Sequence, residues 1–320
     1  MTGMFKNILV PLDGSHLAEQ ALPVAAYLAR KLSARVTLLH VVETHPPETV
    51  HGEPHLRSSE QAGEYLDTVA RKESPLEIEV LRHVHSDQVG DVARSIVEHT
   101  GELSPDLIVM CTHGGHPARD RLFGSIAQKV TSLGTIPVLV IHPQMEGEPG
   151  SFQCRRLLVP LDGKPEHEAP LDLVAQLARV CGAALHLVMV VPTLGTVSGE
   201  DTARRKFSPG TLSELLDQEE QGAAAYLLGL ENNLRQSGLE VQAEVLRGEP
   251  VESIAERAVT ASIDVVVVGT HGKAGVSAFW SGSFAARLAV RSNVPLLLIP
   301  LQGTDQSESP EVNDSLQTSS

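Results

Sequence analysis

Glycine, histidine and serine at fixed spacing can cradle a phosphate through backbone amides. The stretch GTHGKAGVSAFWSGS, from Gly269 to Ser283, has this composition and follows the apolar run DVVVVG. Its pattern is Gly269, two residues, Gly272, nine residues, then Gly282-Ser283. Gly269 ends a strand where a ligand can approach the backbone without meeting a Cβ, and Gly272 permits a turn that aims N–H groups inward. Gly282-Ser283 opens a helix, whose unpaired amides and positive dipole end suit an anion. His271 lies inside the same loop. Glycines after a strand are also ordinary turns, and serine caps helices with no ligand present.

The loop occurs twice. CTHGGHPARDRLFGS, ending at Ser125, keeps Gly114, Gly124 and Ser125 but has Cys111 where the first glycine stands, with His113 matching His271. ILVPLDGS returns as LLVPLDGK, FGSIAQKV as SGSFAARL, and TIPVLVIHP as NVPLLLIP, in one order. A duplicated domain of about 145 residues follows from that order. Residues 1–143 make the first domain, 144–154 a Pro/Gly/acid-rich linker, and 155–301 the second. The acidic, serine-rich stretch 302–320 is expected to be a disordered tail.

Within each half, continuous Val/Ile/Leu runs alternate with helical patterns. This predicts a doubly wound α/β domain with a parallel sheet covered on both faces. Ligands of such sheets sit at the carboxyl ends of the strands. Aromatics are only 3%, so the cores must be aliphatic.

The array of VPLDGS, Gly-x2-Gly-x9-Gly-Ser and a closing apolar strand resembles the universal stress protein family in its tandem form, over nearly the whole chain. The resemblance implies two five-stranded parallel sheets of order 3-2-1-4-5, adenine nucleotide alpha hydrolase-like and Rossmann-like. It implies an ATP-binding stress-response protein, with Mg2+ carried on the phosphates. Adenine and ribose would lie against Pro160, Leu161, Asp162 and Val190, and the phosphates against Gly269, His271, Gly272, Gly282, Ser283 and Phe284. In the first half the matching positions are Pro11, Leu12, Asp13, Val41, Cys111, His113, Gly114, Gly124, Ser125 and Ile126. Asp162 can hold a ribose hydroxyl or cap its own turn, and Cys111 can crowd the site or face the core. Arg119, Arg121 and Lys164 can reach phosphates but read more readily as solvated cations, and Trp280 reads as a loop anchor more than as a lid or interface residue. The closing strands would pair the two halves into an intramolecular pseudo-dimer, with further homodimerisation open.

The formal charge of -15 argues against nucleic acid or anionic membrane as the main partner. No apolar run reaches spanning length, and Cys111, Cys154 and Cys181 lack paired spacing, so a reducing cytoplasm is expected. Eleven of the fourteen histidines lie in the first half. They include His45, His51 and His55 in a flexible-looking insertion, and His83 and His85 alternating on one strand. No acid or cysteine stands at metal-site spacing from them, so no metal site is expected. No Walker lysine, two-metal acidic pair or nucleophile–base set is visible, so at most slow ATP hydrolysis is expected. The nucleotide then reads as a ligand switch for an unknown protein partner. The competing reading is a nucleotide-independent interaction scaffold on the same fold; adenylyl transfer has no acceptor-activating group to support it.

Overall fold

The computed structural model describes residues 5–73, 78–112, 124–143, 152–196, 209–271 and 284–301. The first half contributes β1 (Asn7–Pro11), α1 (His16–Glu19), α2 (Ala21–Leu32), β2 (Arg35–Glu43), β3 (Thr49–Val50), β4 (Glu53–Pro54), α3 (Ser59–Glu73), β5 (Val80–Val89), α4 (Val92–Leu103), β6 (Leu107–Cys111), α5 (Ser125–Leu133) and β7 (Val138–Ile141). The second contributes β8 (Arg156–Leu161), α6 (Leu171–Cys181), β9 (Ala184–Val191), α7 (Pro209–Gln236), β10 (Val241–Arg247), α8 (Pro250–Thr260), β11 (Val265–His271), α9 (Phe284–Arg291) and β12 (Leu296–Leu301).

Among the described residues, ten strands form one sheet in the order β10-β9-β8-β11-β12-β7-β6-β1-β2-β5. Read within each half, this is the expected 3-2-1-4-5 order with parallel neighbours. The halves join where β7 runs antiparallel to β12, with Val140 opposite Leu296 and Val138 opposite Leu298. β6 and β7 are buried at every position, because helices cover both faces. Successive side chains point to opposite faces, so each strand feeds two apolar layers. One contains Val10, Val109 and Leu139 with Leu157, Val267 and Leu297; the other contains Leu9, Ile108 and Val138 with Leu158, Val266 and Leu298. Both layers run unbroken across the joint. The outer strands β5 and β10 carry Arg82, Asp87, Glu244 and Arg247, charges that discourage further edge pairing.

The repeat extends to single hydrogen bonds. The Asp106 carboxylate accepts the backbone amides of Lys6 and Asn7, and Asp264 accepts those of Arg155 and Arg156 at 2.7 and 2.9 Å. Each aspartate ties the start of its half's first strand to the entry of the fourth.

Two local expectations differ from the structure. A strand is expected over LEIEVLRHVH, whereas β5 runs on through Ser86-Asp87-Gln88 to Val89, where its polar side chains meet solvent at the sheet edge. The insertion after β2 is not formless: β3 and β4 pair antiparallel, with Val50 opposite Glu53. The intervening turn has His51 at φ 50° and Gly52 at φ 86°. The linker residues 144–151 and the tail 302–320 lie outside the described residues.

Leu298 is fully buried at the joint. Leu298→Ala should therefore cost about 2–5 kcal/mol, through lost burial and an unfilled cavity. A lower urea midpoint would show it; an unchanged midpoint would mean the joint contributes little to stability.

Candidate functional site

β8 ends at Leu161 and turns through Asp162 and Gly163, the latter at φ 78°, a left-handed conformation that glycine adopts without penalty. The Asp162 carboxylate accepts the Lys164 amide at 3.2 Å and pairs with His167 Nδ1 at 2.8 Å. The Lys164 ammonium leans back to the same carboxylate at 3.5 Å. Partial burial alone would raise the Asp162 pKa; the His167 and Lys164 partners outweigh it and hold the carboxyl below its ordinary value.

Above this turn lies a cavity of about 670 Å³ at the carboxyl ends of β8, β9 and β11. That size lies in the range of small-molecule sites. Pro160, Leu161 and Asp162 form one wall, Val190 another, and Val268 and Gly269 the floor. Phe284 and Ala285 bring the start of α9 to its rim. The position is the sheet's switch point, where β9 leaves β8 on one side and β11 on the other. The lining is mainly apolar, and its titratable described side chains are Asp162, His167 and Glu219.

Six residues singled out by sequence, Pro160, Leu161, Asp162, Val190, Gly269 and Phe284, thus line one space. His271 closes β11, but its side chain is not among the described ones; Gly272, Trp280, Gly282 and Ser283 lie outside the described residues. Sequence reasoning missed His167, whose pairing with Asp162 depends on the turn Pro165–His167. It also missed Glu219, Gly222 and Ala223, which α7 carries to the cavity from nearly sixty residues along the chain. The small residues in EEQGAAAY are the one trace of that close approach.

The first half uses the same positions differently. Pro11 ends β1 and Leu12 follows it, Gly14 has φ 95°, and Asp13 Oδ1 accepts the Ser15 amide and hydroxyl at 2.9 and 2.7 Å. The β3–β4 hairpin folds onto this turn. His51 Nε2 stands 3.7 Å from Asp13 Oδ2, and Glu53 accepts the His16 amide at 2.9 Å. A Cβ on Gly14 would lie 3.0 Å from Leu56. Beneath it His55 is buried against Glu43 at 3.2 Å, and the His40 ring meets the Leu12 carbonyl at 2.8 Å. Val41 is buried; Gly124 caps α5, leaving Ser125 exposed and Ile126 half-buried. His113, Gly114, Arg119 and Arg121 lie outside the described residues.

Of the two placements left open for Cys111, the structure has the core one: the side chain is 2% exposed, with Sγ 3.9 Å from the Ala18 carbonyl. Burial, with the nearby Asp13 charge, pushes its thiol up to about 12, so it stays protonated and unreactive at neutral pH. At the matching Gly269, a Cβ would lie 3.1 Å from Leu301.

The universal stress protein family model matches residues 4–142 and again 153–300. The chain belongs to the universal stress protein family. A universal stress protein of Synechocystis sp. is 24% identical over 91% of this chain and 99% of its own length. One from Mycolicibacterium smegmatis is 26% identical over 92% and 96%. A crystal structure of a universal stress protein from Archaeoglobus fulgidus covers 92% of this chain and 96% of its own at 20% identity, with TM-score 0.65. That likeness shows the tandem fold. No helix among the described residues is long and apolar enough to cross a membrane.

The depressed Asp162 carboxyl has a pH signature. A group whose pKa is lower folded than unfolded adds stability above its unfolded value and loses it as pH falls through the folded one. The stability gap between the native protein and Asp162→Asn should therefore be full near neutrality and close as pH falls from about 4. Urea midpoints of both proteins across that range check this; a gap independent of pH would contradict it.

Proposed function

We propose that this protein binds an adenine nucleotide, ATP with Mg2+ on its phosphates, in the cavity of the second half. The observation that carries this is the convergence of Asp162, Val190, Gly269 and Phe284, distant in sequence, on one space at the switch point. Apolar Val190, Met189 and Ile254 suit the faces of a base, and Asp162 stands at the rim where a sugar hydroxyl would come. The start of α9 stands at the rim, where the positive end of its dipole suits the phosphates. Asp162 and His167 are engaged with each other, and no nucleophile accompanies them among the described lining residues. The reading is therefore a stress-response ligand switch with at most slow hydrolysis, biasing the two halves' pairing or the surface a protein partner reads.

Mg-ATP should raise the melting temperature, by about 2.7 kcal/mol of stabilisation at a hundredfold excess over the dissociation constant. GTP should do so less. Gly222 gives a variant that spares the fold: it lies within α7, and an added Cβ meets nothing within 4 Å. Gly222→Leu should stabilise the helix by roughly 0.5–1 kcal/mol while pushing a side chain into the cavity. The expected result is an equal or higher melting point without nucleotide and a much smaller ATP shift. A full ATP shift in Gly222→Leu would remove the cavity from the reading, and no shift in the native protein would favour the interaction scaffold.

The halves should differ in occupancy, because the hairpin sits on Asp13. Nucleotide stoichiometry by calorimetry should be near one per chain. Replacing residues 49–54 with a two-residue turn should raise it toward two. Two full sites in the native chain would show that the hairpin is no obstacle.

A further inference from the structure

A cluster of imidazoles on the far edge of the first half belongs to neither nucleotide position. β5 is the outermost strand, paired only with β2, with His83 opposite Leu39 and His85 opposite Val41. Two apart on a strand, they share a face. From α4, His99 reaches that face: its ring centroid lies 4.8 Å from that of His83 and 4.7 Å from that of His85. Glu102, one turn further along α4, places Oε2 3.9 Å from His99 Nε2. We propose that His83, His99 and Glu102 hold a divalent transition-metal ion of the zinc class, with His85 beside them to complete or exchange in the coordination.

One imidazole atom or carboxylate oxygen from each of His83, His99 and Glu102 lies within 4.8 Å of the others. Zinc bonds of 2.0–2.2 Å at tetrahedral angles need ligand atoms about 3.3 Å apart. Side-chain rotation closes that difference, and Glu102, 66% exposed, is free to make it.

The outer partner is already in place. His99 Nδ1 lies 2.7 Å from the Ser95 carbonyl oxygen. A carbonyl only accepts, so Nδ1 carries a proton, and in the neutral ring Nε2 is left as the ligating atom, 3.9 Å from Glu102 Oε2. Ligating histidines are characteristically oriented in this way.

Two imidazoles and a carboxylate favour zinc, nickel or copper over magnesium or calcium, which prefer oxygen. Three protein ligands leave a fourth position for His85 or water. Sequence spacing concealed the set, since β5 and α4 supply its members and only the packing of α4 on the edge strand brings them together. An ion there would fasten that strand to the helix.

Zinc binding is measured by equilibrium dialysis on the full chain with its purification tag removed. Cobalt(II) is used in parallel for its visible ligand-field absorption. We expect near one zinc per chain, a tetrahedral cobalt band and a raised melting temperature. His83→Asn and Glu102→Gln should each weaken zinc by at least about tenfold, the lower end of what loss of even an outer partner costs. Glu102 is exposed, so its variant does not endanger folding, and circular dichroism checks both. The exposed His45→Ala, on the other histidine-bearing segment, should leave affinity unchanged. No stoichiometric uptake, unchanged affinity in either His83→Asn or Glu102→Gln, or equal weakening by His45→Ala would overturn the proposal.

Discussion

The antiparallel meeting of β7 and β12 is the constraint on which the rest of the molecule depends. Each closing strand is apolar on both faces, and alone each would end its half as an unpaired, hydrophobic edge. Pairing them satisfies those backbone groups and continues both apolar layers from one half into the other. It also fixes direction. Strands within a half are parallel and the joint is antiparallel, so the carboxyl ends of the two halves point opposite ways. The two carboxyl ends therefore cannot merge into one site, and each half could change its own without disturbing the other's.

They have changed. In the second half the Asp162 turn is held by residues close in sequence, Lys164 and His167, and the space above it is left to α7 and α8. In the first half the equivalent aspartate also ties its own turn, through Ser15, but the chain makes an excursion after β2 and lays His51, Glu53 and Leu56 over it. The duplicated VPLDG segment is thus a conserved piece of backbone geometry carrying two different surroundings. The Cys111–Gly269 pair also has different surroundings, Ala18 beside one and Leu301 beside the other.

This distinction explains what the sequence made legible. The parallel sheets follow from the apolar runs and the repeat, whereas their strand order and the joint were legible only through the family resemblance. Gly269 and the start of α9 could be read because strand ends and helix starts are local signals, while Pro160 and Asp162 came through the family resemblance. Glu219 and Gly222 could not, since a helix face toward a cavity looks like any other small or acidic stretch until its packing is known. The hairpin was hidden because two residues per strand give no period to read, and Pro46, Pro47 and Pro54 suggest loop. Cys111 was ambiguous for a different reason: a strand-end side chain looks inward or toward the ligand according to the pleat, and only the register decides which.

Charge imposes the last condition on how the proposed site can work. The chain has a formal net charge of -15, and two of the three titratable described side chains in the cavity are acids, Asp162 and Glu219. A polyphosphate brought there gains nothing from the overall field, which repels it. The attraction must be short-ranged: the positive end of the α9 dipole, His167 close to Asp162, and the divalent ion that travels with the nucleotide. Lys164 adds little while its ammonium stays on Asp162 and in solvent. Such a site admits its ligand by local fit against an adverse field. Occupancy then depends on the metal-bound form of the nucleotide as well as its total amount, a dependence suited to a switch more than to rapid turnover.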